Sequence, residues 1–327
     1  MRILSRTDVE SLLDLDALID ALAGAMIDLS TGAASVPLRV GALVQERDGL
    51  LAAMPGYLPS SNTLAAKLVS VFPHNGALGL PSHHAVIAVF DAGNGSPMAL
   101  MDGEYITAAR TAAGSALATR LLARSDASTV AILGTGVQAR AHAGAIPRVR
   151  AIREVRVAGR DRSKAEGLAA ELRQAGTAAR AVPTFQEAME GADIVCATTH
   201  SPEPVVRRQW LSPGTHVNSV GVNGQGREVD AETVRDALVV VEWRAAALAP
   251  FPSGANELTW PIRDGLIAED HVNTEVGDIL RGTKPGRTSE EQITLYKSVG
   301  VAVQDAAASA LVLDAARLRQ TGVEVEL

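Results

Sequence analysis

The chain is short of aromatic residues: Phe, Trp and Tyr together supply 3% of its 327 positions. That scarcity disfavours an all-β sandwich and suits helices packed on a parallel sheet. Cysteine is rarer still. Cys196 stands alone, so no internal disulfide can form, and a reducing, cytoplasmic setting is expected. It lies in Asp193–Ala197, read as a buried strand, where a small core side chain fits better than a nucleophile. No apolar stretch approaches the roughly 20 residues that span a bilayer, so no membrane partner is expected. Met1–Arg6 likewise lacks the apolar run of a signal peptide. Dense basic runs are missing too. The 30 Lys and Arg against 37 Asp and Glu leave a net charge of −7, which argues against nucleic acid as a partner. His83 and His84 are adjacent, so on a strand they point to opposite faces, and no third ligand stands at metal spacing. No metal is expected.

Alanine, valine and leucine dominate the 47% of apolar positions, and the length suggests two domains. The most informative stretch is Thr129–His142, where five β-compatible residues run into Gly134-Thr135-Gly136 and a helix-compatible segment opens at Val137. This strand–turn–helix context suits a dinucleotide fingerprint. Gly134 permits the tight turn, and Gly136 lets the backbone approach a pyrophosphate at the helix N-terminus. There Val137 and Gln138 supply backbone groups where the helix dipole favours phosphate. Ala139 takes the third glycine position, which need only permit close helix–strand packing. A tight turn that binds nothing has the same pattern, so the fingerprint needs support from elsewhere.

The rest of the chain supplies it. Thr7–Glu10 reads as a capping box, and Asp14 or Asp16 opens a longer helix through about Leu29. From Val36 to Leu100 short runs such as Gly49–Met54, Ala65–Phe72 and Ala85–Phe90 read as strands joined by turns. A helix is expected over Ile106–Ala123. After the fingerprint, strand and helix alternate: strands at Glu154–Ala158, Asp193–Thr198, His216–Val220 and Ala237–Glu242, with helices at Asp161–Ala175 and Gln186–Met189. With the fingerprint strand this makes about five strands of a doubly wound parallel sheet, the Rossmann pattern. Thr198, Val220 and Gly221 then stand at the carboxyl ends of strands, where open α/β sheets bind ligands. Ser298-Val299-Gly300 opens a last helix ending near Arg319. The expected division is a dinucleotide-binding domain over 118–301, with 1–117 and 302–327 forming an α+β substrate-binding and dimerisation domain.

The second strand bears on which dinucleotide is bound. NAD-specific domains carry an acidic residue at its end, about 20 residues beyond the fingerprint, for the ribose hydroxyls. Gly159 holds that place here, and Arg160 follows, able to stack on adenine or pair with a 2′-phosphate. NADP(H) is therefore expected in preference to NAD(H), which remains possible. Asp161 is the counterweight, since it could take the acidic role if the strand ended later.

Several separated segments, in this order and spacing, are together similar to the ornithine cyclodeaminase/mu-crystallin family. They are Met54–Tyr57, Lys67–Asn75, Leu80–His84, Met101–Gly103, Arg110–Ala113, Gly134–Ala139, Gly226–Asp230 and Lys297–Gly300. The similarity covers nearly the whole chain. It implies a Rossmann domain between two parts of a substrate and dimerisation domain, and a homodimer. It also implies carboxylate-binding roles for Arg39 and Lys67. Arg110 and Thr111 would contact cofactor phosphate and substrate carboxylate. Ser82, Arg227 and Ser298 would face the cofactor. Read from the residues alone, Arg39 is equally a solvated loop arginine, Lys67 a strand-edge gatekeeper and Ser298 the N-cap of the last helix.

Two departures narrow the activity. Cyclodeaminases of this family carry a catalytic Asp where this chain has Asn223. They also carry a Glu, for the distal amine, where it has Ala52. An amide accepts no proton and alanine pairs with no ammonium. The resemblance therefore implies an NAD(P)-dependent oxidoreductase acting on the C–N bond of a small amino- or imino-acid substrate. Arg39, Lys67, Arg110 and Asn223 are its candidate catalytic positions. Ornithine cyclodeaminase and a non-catalytic, crystallin-like NADPH-binding protein are the alternatives.

Overall fold

The computed structural model describes residues 1–326. The chain divides into two compact units, Met1–Arg110 with Gly300–Leu327, and Thr111–Val299. The division falls inside one helix, Gly103–Leu122.

Unit one is built on a seven-stranded mixed sheet. An antiparallel meander runs through Val40–Val44, Gly49–Leu58, Thr63–Val71, His83–Asp91 and Pro97–Asp102, and Arg2–Leu4 adds to it in parallel. Strand alternation sorts the side chains onto two faces. Met54, Lys67, Ile87 and Met101 stand in one row of the ladder, all on the buried face. That face packs against the helix Ala302–Arg319, which in turn packs on Leu15–Ser30. The other face keeps Leu51, Leu68 and Val86 exposed, and on the edge strand Val40 and Leu43 are each 65% exposed.

Local chemistry explains where the helices begin. Ser5, not Thr7, caps the first helix, Arg6–Leu12. Its hydroxyl accepts from Asp8 N while the Asp8 carboxylate accepts from Ser5 N, so the reciprocal pair lies two residues before the one the sequence suggested. Asp14 caps Leu15–Ser30 as expected. The last helix begins at Ala302 rather than Ser298. Gly300, at φ +74°, turns the chain between the strand Thr294–Lys297 and that helix, and the Gln304 side chain accepts from Val301 N at 3.2 Å. Ser298 is thus no N-cap.

Unit two is a doubly wound sheet of eight strands, all paired in parallel. The order is Thr274–Glu275, Leu238–Val241, Thr294–Lys297, His216–Ser219, Ile194–Ala197, Thr129–Leu133, Glu154–Ala158, Ala179–Ala181. Five of these match the expected strands. Ala179–Ala181 and Thr274–Glu275 have no sequence signal, because two or three residues carry no periodicity. Thr294–Lys297 is masked in the sequence by its terminal lysine, which the fold buries completely. Ala139 is buried against the sheet with Val130, Ile132 and Val157, the close packing its position requires. Cys196 is buried in the same layer, and burial pushes its thiol up to about 12. Among the described residues no helix is long and apolar enough to cross a membrane.

Candidate functional site

The residues singled out fall into two constellations, one in each unit. In unit one Lys67 leaves the middle of its strand and is 2% exposed. Its Nζ lies 2.9 Å from both carboxylate oxygens of Asp305 on the last helix. Arg110, also buried, brings Nε to 3.2 Å from the same carboxylate, and its Nη1 donates to Gln304 Oε1 at 2.9 Å. Arg39 is half-buried and donates to Gly300 O at 2.7 Å. Two buried cations therefore share one carboxylate, with Arg39 close enough to act on Lys67 through its charge. Burial lowers the Lys67 pKa to about 8, with Asp305 opposing the shift while Arg110 and Arg39 add to it. His83 lies on the same sheet face, and burial, then Lys67 and Arg110, push its imidazole down to about 4, so it stays neutral. His84 points to the other face and bonds Glu104 at 2.6 Å. Ser82 is exposed, and its carbonyl accepts from Phe72 N.

In unit two the Thr129–Leu133 strand, the turn and the helix Val137–Ala145 follow one another as the fingerprint requires. Gly134 sits at φ +119°, and a Cβ there would stand 2.7 Å from Thr198 Oγ1 and 3.0 Å from its carbonyl oxygen. Glycine is obligatory. Gly136 is the helix N-cap, has no side chain to cap with, and leaves open space where a Cβ would be. Gln138 Oε1 is buried without a hydrogen-bond partner beside this N-terminus. The donor-rich end and the open space suit a bound dinucleotide phosphate, and the orphaned oxygen can accept from a hydroxyl such as a ribose carries.

The end of the second strand is equally definite. A Cβ at Gly159 would lie 2.7 Å from the Thr135 methyl, so the place of the acidic residue has no room for a side chain as packed. Asp161 is the N-cap of Arg162–Gln174, where its Oδ1 accepts from Ser163 N, Ser163 Oγ and Lys164 N. Its carboxylate is thus occupied, and the Ser163 hydroxyl above all lowers its pKa. Arg162 is paired with Glu166 at 2.8 Å. Arg160 is exposed and, among the described residues, has no hydrogen-bond or ion-pair partner. Gly159, Arg160, Thr184, Phe185 and Trp210 line a cavity of about 450 Å³.

Across the sheet, Thr198 Oγ1 donates to Leu133 O, and Val220 N to Ala197 O. A residue the sequence did not single out organises this edge. Glu228 is buried, and its Oε1 accepts from Ser219 Oγ and Gly221 N while Oε2 accepts from Thr199 N and Thr199 Oγ1, all between 2.7 and 3.0 Å. Lys297 donates to Gly221 O at 2.5 Å and to Ser219 Oγ, and pairs with Glu257 at 3.4 Å. Glu242 accepts from Ser298 Oγ at 2.6 Å and Val299 N at 3.0 Å. Asn223 Nδ2 donates to His200 O and its Oδ1 accepts from Gln225 N, each at 2.8 Å. Arg227 is half-buried over the Trp260 ring at 5.9 Å, and Thr111 is buried. Asp305, Gln304, Glu228 and Lys297 carried no sequence signal as site residues, because only the fold brings them to their partners.

Residues 1–320 match the model of the ornithine cyclodeaminase/mu-crystallin family. The ketimine reductase mu-crystallin of Mus musculus is 36% identical over 301 residues, 91% of each chain. The Thermococcus litoralis Delta(1)-pyrroline-2-carboxylate reductase, solved with NADH and L-proline, is 38% identical with a TM-score of 0.95, covering 99% of this chain and 100% of that one. An archaeal alanine dehydrogenase dimer with bound NAD is 31% identical with a TM-score of 0.93, covering 100% and 99%.

Proposed function

The chain belongs to the ornithine cyclodeaminase/mu-crystallin family, and from that premise we propose that it is an NAD(P)-dependent oxidoreductase acting on the C–N bond of a small carboxylate substrate, of the cyclic ketimine reductase or L-amino-acid dehydrogenase type. The observation that carries this reading is the cation pair of unit one: Lys67 and Arg110, both buried, share the one carboxylate of Asp305, so positive charge is in surplus. A substrate carboxylate answers that surplus, and Lys67, Arg39 and Arg110 hold it by charge-assisted hydrogen bonds. With a pKa of about 8, Lys67 can also keep or release the proton that a C–N bond gains or loses.

Unit two is the dinucleotide-binding domain in this reading, and unit one the substrate and dimerisation domain. A nicotinamide dinucleotide bound at the Gly134–Gly136 turn supplies or accepts the hydride. The N-terminus at Val137 and Gln138 holds its pyrophosphate, while Thr198, Val220 and Gly221, the last fixed by Glu228, line the strand ends. Ser298 and Val299 reach that edge with Glu242 behind them. The cavity beside Arg160 fits an adenosine half between Phe185 and Trp210. NADPH is preferred over NADH because Gly159 offers no carboxylate, Asp161 is occupied as a cap, and the exposed Arg160 guanidinium is left for a 2′-phosphate.

Cyclisation of ornithine is disfavoured. Ala52 is buried on the apolar face with Met54 and Val69, and the Asn223 amide is spent on backbone groups. A protein that merely binds NADPH would need no carboxylate clamp. The exposed apolar face formed by Leu51, Leu68 and Val86 suits a second copy of the chain, as in the dimeric archaeal relative, and the single buried thiol suits a cytoplasmic setting. The test is a panel of cyclic imine carboxylates, L-amino acids and ornithine, followed by NAD(P)H absorbance and ammonia release. The reading expects cofactor-linked turnover of an imine or amino acid and little ammonia from ornithine. Proline formed from ornithine at an enzymatic rate would defeat it.

A further inference from the structure

Lys67 and Arg110 are two buried like charges brought together from a strand and a helix. Taken out of water, each cation is strongly disfavoured unless paired, and each makes its neighbour harder to keep charged. What faces them can be named element by element. The segment before Val40 brings Arg39, a third cation, and the His83–Asp91 strand brings His83, which is neutral. The last helix brings Asp305, 1% exposed, in its first turn, where the helix dipole also favours a negative charge. Asp305 contacts Lys67 through both oxygens at 2.9 Å and Arg110 through one at 3.2 Å, while the preceding Gln304 accepts from Arg110. Thr107, at 3.5 Å, adds only a neutral contact to Lys67.

We propose that Asp305 is the positioning residue of the clamp, the anion that, among the described residues, holds Lys67 and Arg110 side by side and keeps Lys67 protonated for its carboxylate ligand. This rests on the functional reading above for the identity of the ligand, but not for the charge state of Lys67. Without Asp305 the least costly escape for two uncompensated buried cations is loss of the lysine proton, since a guanidinium does not give one up. Asp305 opposes the lowering that burial imposes on Lys67. Removing it leaves desolvation, Arg110 and Arg39 all acting in one direction. The working pH range of the clamp is therefore set from a helix 238 positions away in sequence.

The test uses the full chain with 13C-labelled lysine. There are four lysines, and a Lys67→Met sample identifies the relevant signal. In the wild type the Lys67 signal is expected to titrate with a midpoint of about 8. Asp305→Asn keeps the shape and one acceptor oxygen but not the charge. Its midpoint is expected to fall by about one unit or more, and the alkaline limb of kcat/KM to move with it. Asp305→Glu, which restores the charge, brings both back toward the wild-type values. An unchanged midpoint in Asp305→Asn overturns the proposal, as does an activity loss of equal size at every pH. Should Asp305→Asn fold poorly, adding Lys67→Met is expected to restore most of the lost thermal stability, because one uncompensated cation is gone; a double variant no more stable than the single one also overturns it. A wild type inactive on every imine and amino acid, with the midpoint shift intact, defeats the functional reading and leaves this one standing.

Discussion

Unit one meets negative charge with side chains. Lys67 and Arg110 are buried together with Asp305 between them, and Arg39 stands nearby. In the proposed reading unit two uses backbone for the same purpose: a glycine turn with open space at Gly136 and a helix N-terminus without a side-chain cap. Its buried carboxylates Glu228 and Glu242 serve the opposite end, accepting from the backbone of Thr199, Gly221 and Val299 and so fixing the strand ends. The contrast has consequences. A clamp of side-chain charges can be undone by one proton or one substitution, yet tolerates shifts of backbone. A backbone cradle is indifferent to pH but admits no Cβ at Gly134.

The largest effect is expected in unit one. Lys67→Ala should cost roughly 2–4 kcal/mol in kcat/KM, because a charge-paired contact to substrate is lost in a dry site. Steady-state kinetics on the preferred substrate check this, and near-normal efficiency would make Lys67 a structural residue only. Next comes Gly134→Val. With φ at +119° and Thr198 Oγ1 2.7 Å from the new Cβ, NADPH affinity should fall by about a hundredfold, or ~2.8 kcal/mol, read by the quenching or enhancement of NADPH fluorescence. An unaltered affinity would show that the turn is not where the cofactor sits.

The pH response separates the two modes without any substitution. The Lys67 pKa is lowered, so its charge is fully present below about 8 and lost as the pH rises through that value. In the free enzyme kcat/KM should therefore fall by about tenfold per unit above it, while NADPH affinity stays flat over the same range. Parallel decline of both would argue that pH loosens the whole protein. The smallest effect is at the adenosine end. Arg160→Ala should erase most of a preference for NADPH over NADH of about tenfold, some 1.4 kcal/mol. A wild type that favours NADH would instead point to Asp161 leaving its capping position.

The same contrast explains what could be read from the sequence. The dinucleotide turn was legible because Gly134, Gly136 and Ala139 lie within six positions, between a strand and a helix that propensity alone suggests. The clamp was legible in part, since Lys67 and Arg110 stand in segments similar to the family's. Asp305 was not, because an acid in the first turn of an alanine-rich helix looks like an ordinary dipole partner until a distant strand brings Lys67 to it. Glu228 and Lys297 were hidden for a similar reason. The charged ends in Gly226–Asp230 and Lys297–Gly300 look solvent-facing, yet Glu228 is 2% and Lys297 0% exposed. Two caps differ from the sequence reading, by two residues at Ser5, where Asp8 reciprocates, and by three at Val301, where Gly300 makes the turn.

The most direct test is to measure both sites in both variants. NADPH affinity and kcat/KM at saturating NADPH, determined side by side for Lys67→Ala and Gly134→Val, should give crossed losses. Lys67→Ala should keep its NADPH affinity within about twofold, some 0.4 kcal/mol, while losing catalytic efficiency. Gly134→Val should lose NADPH affinity but recover much of its efficiency once the cofactor is saturating. Equal losses of both quantities in both variants would contradict the division of labour between a side-chain clamp and a backbone cradle.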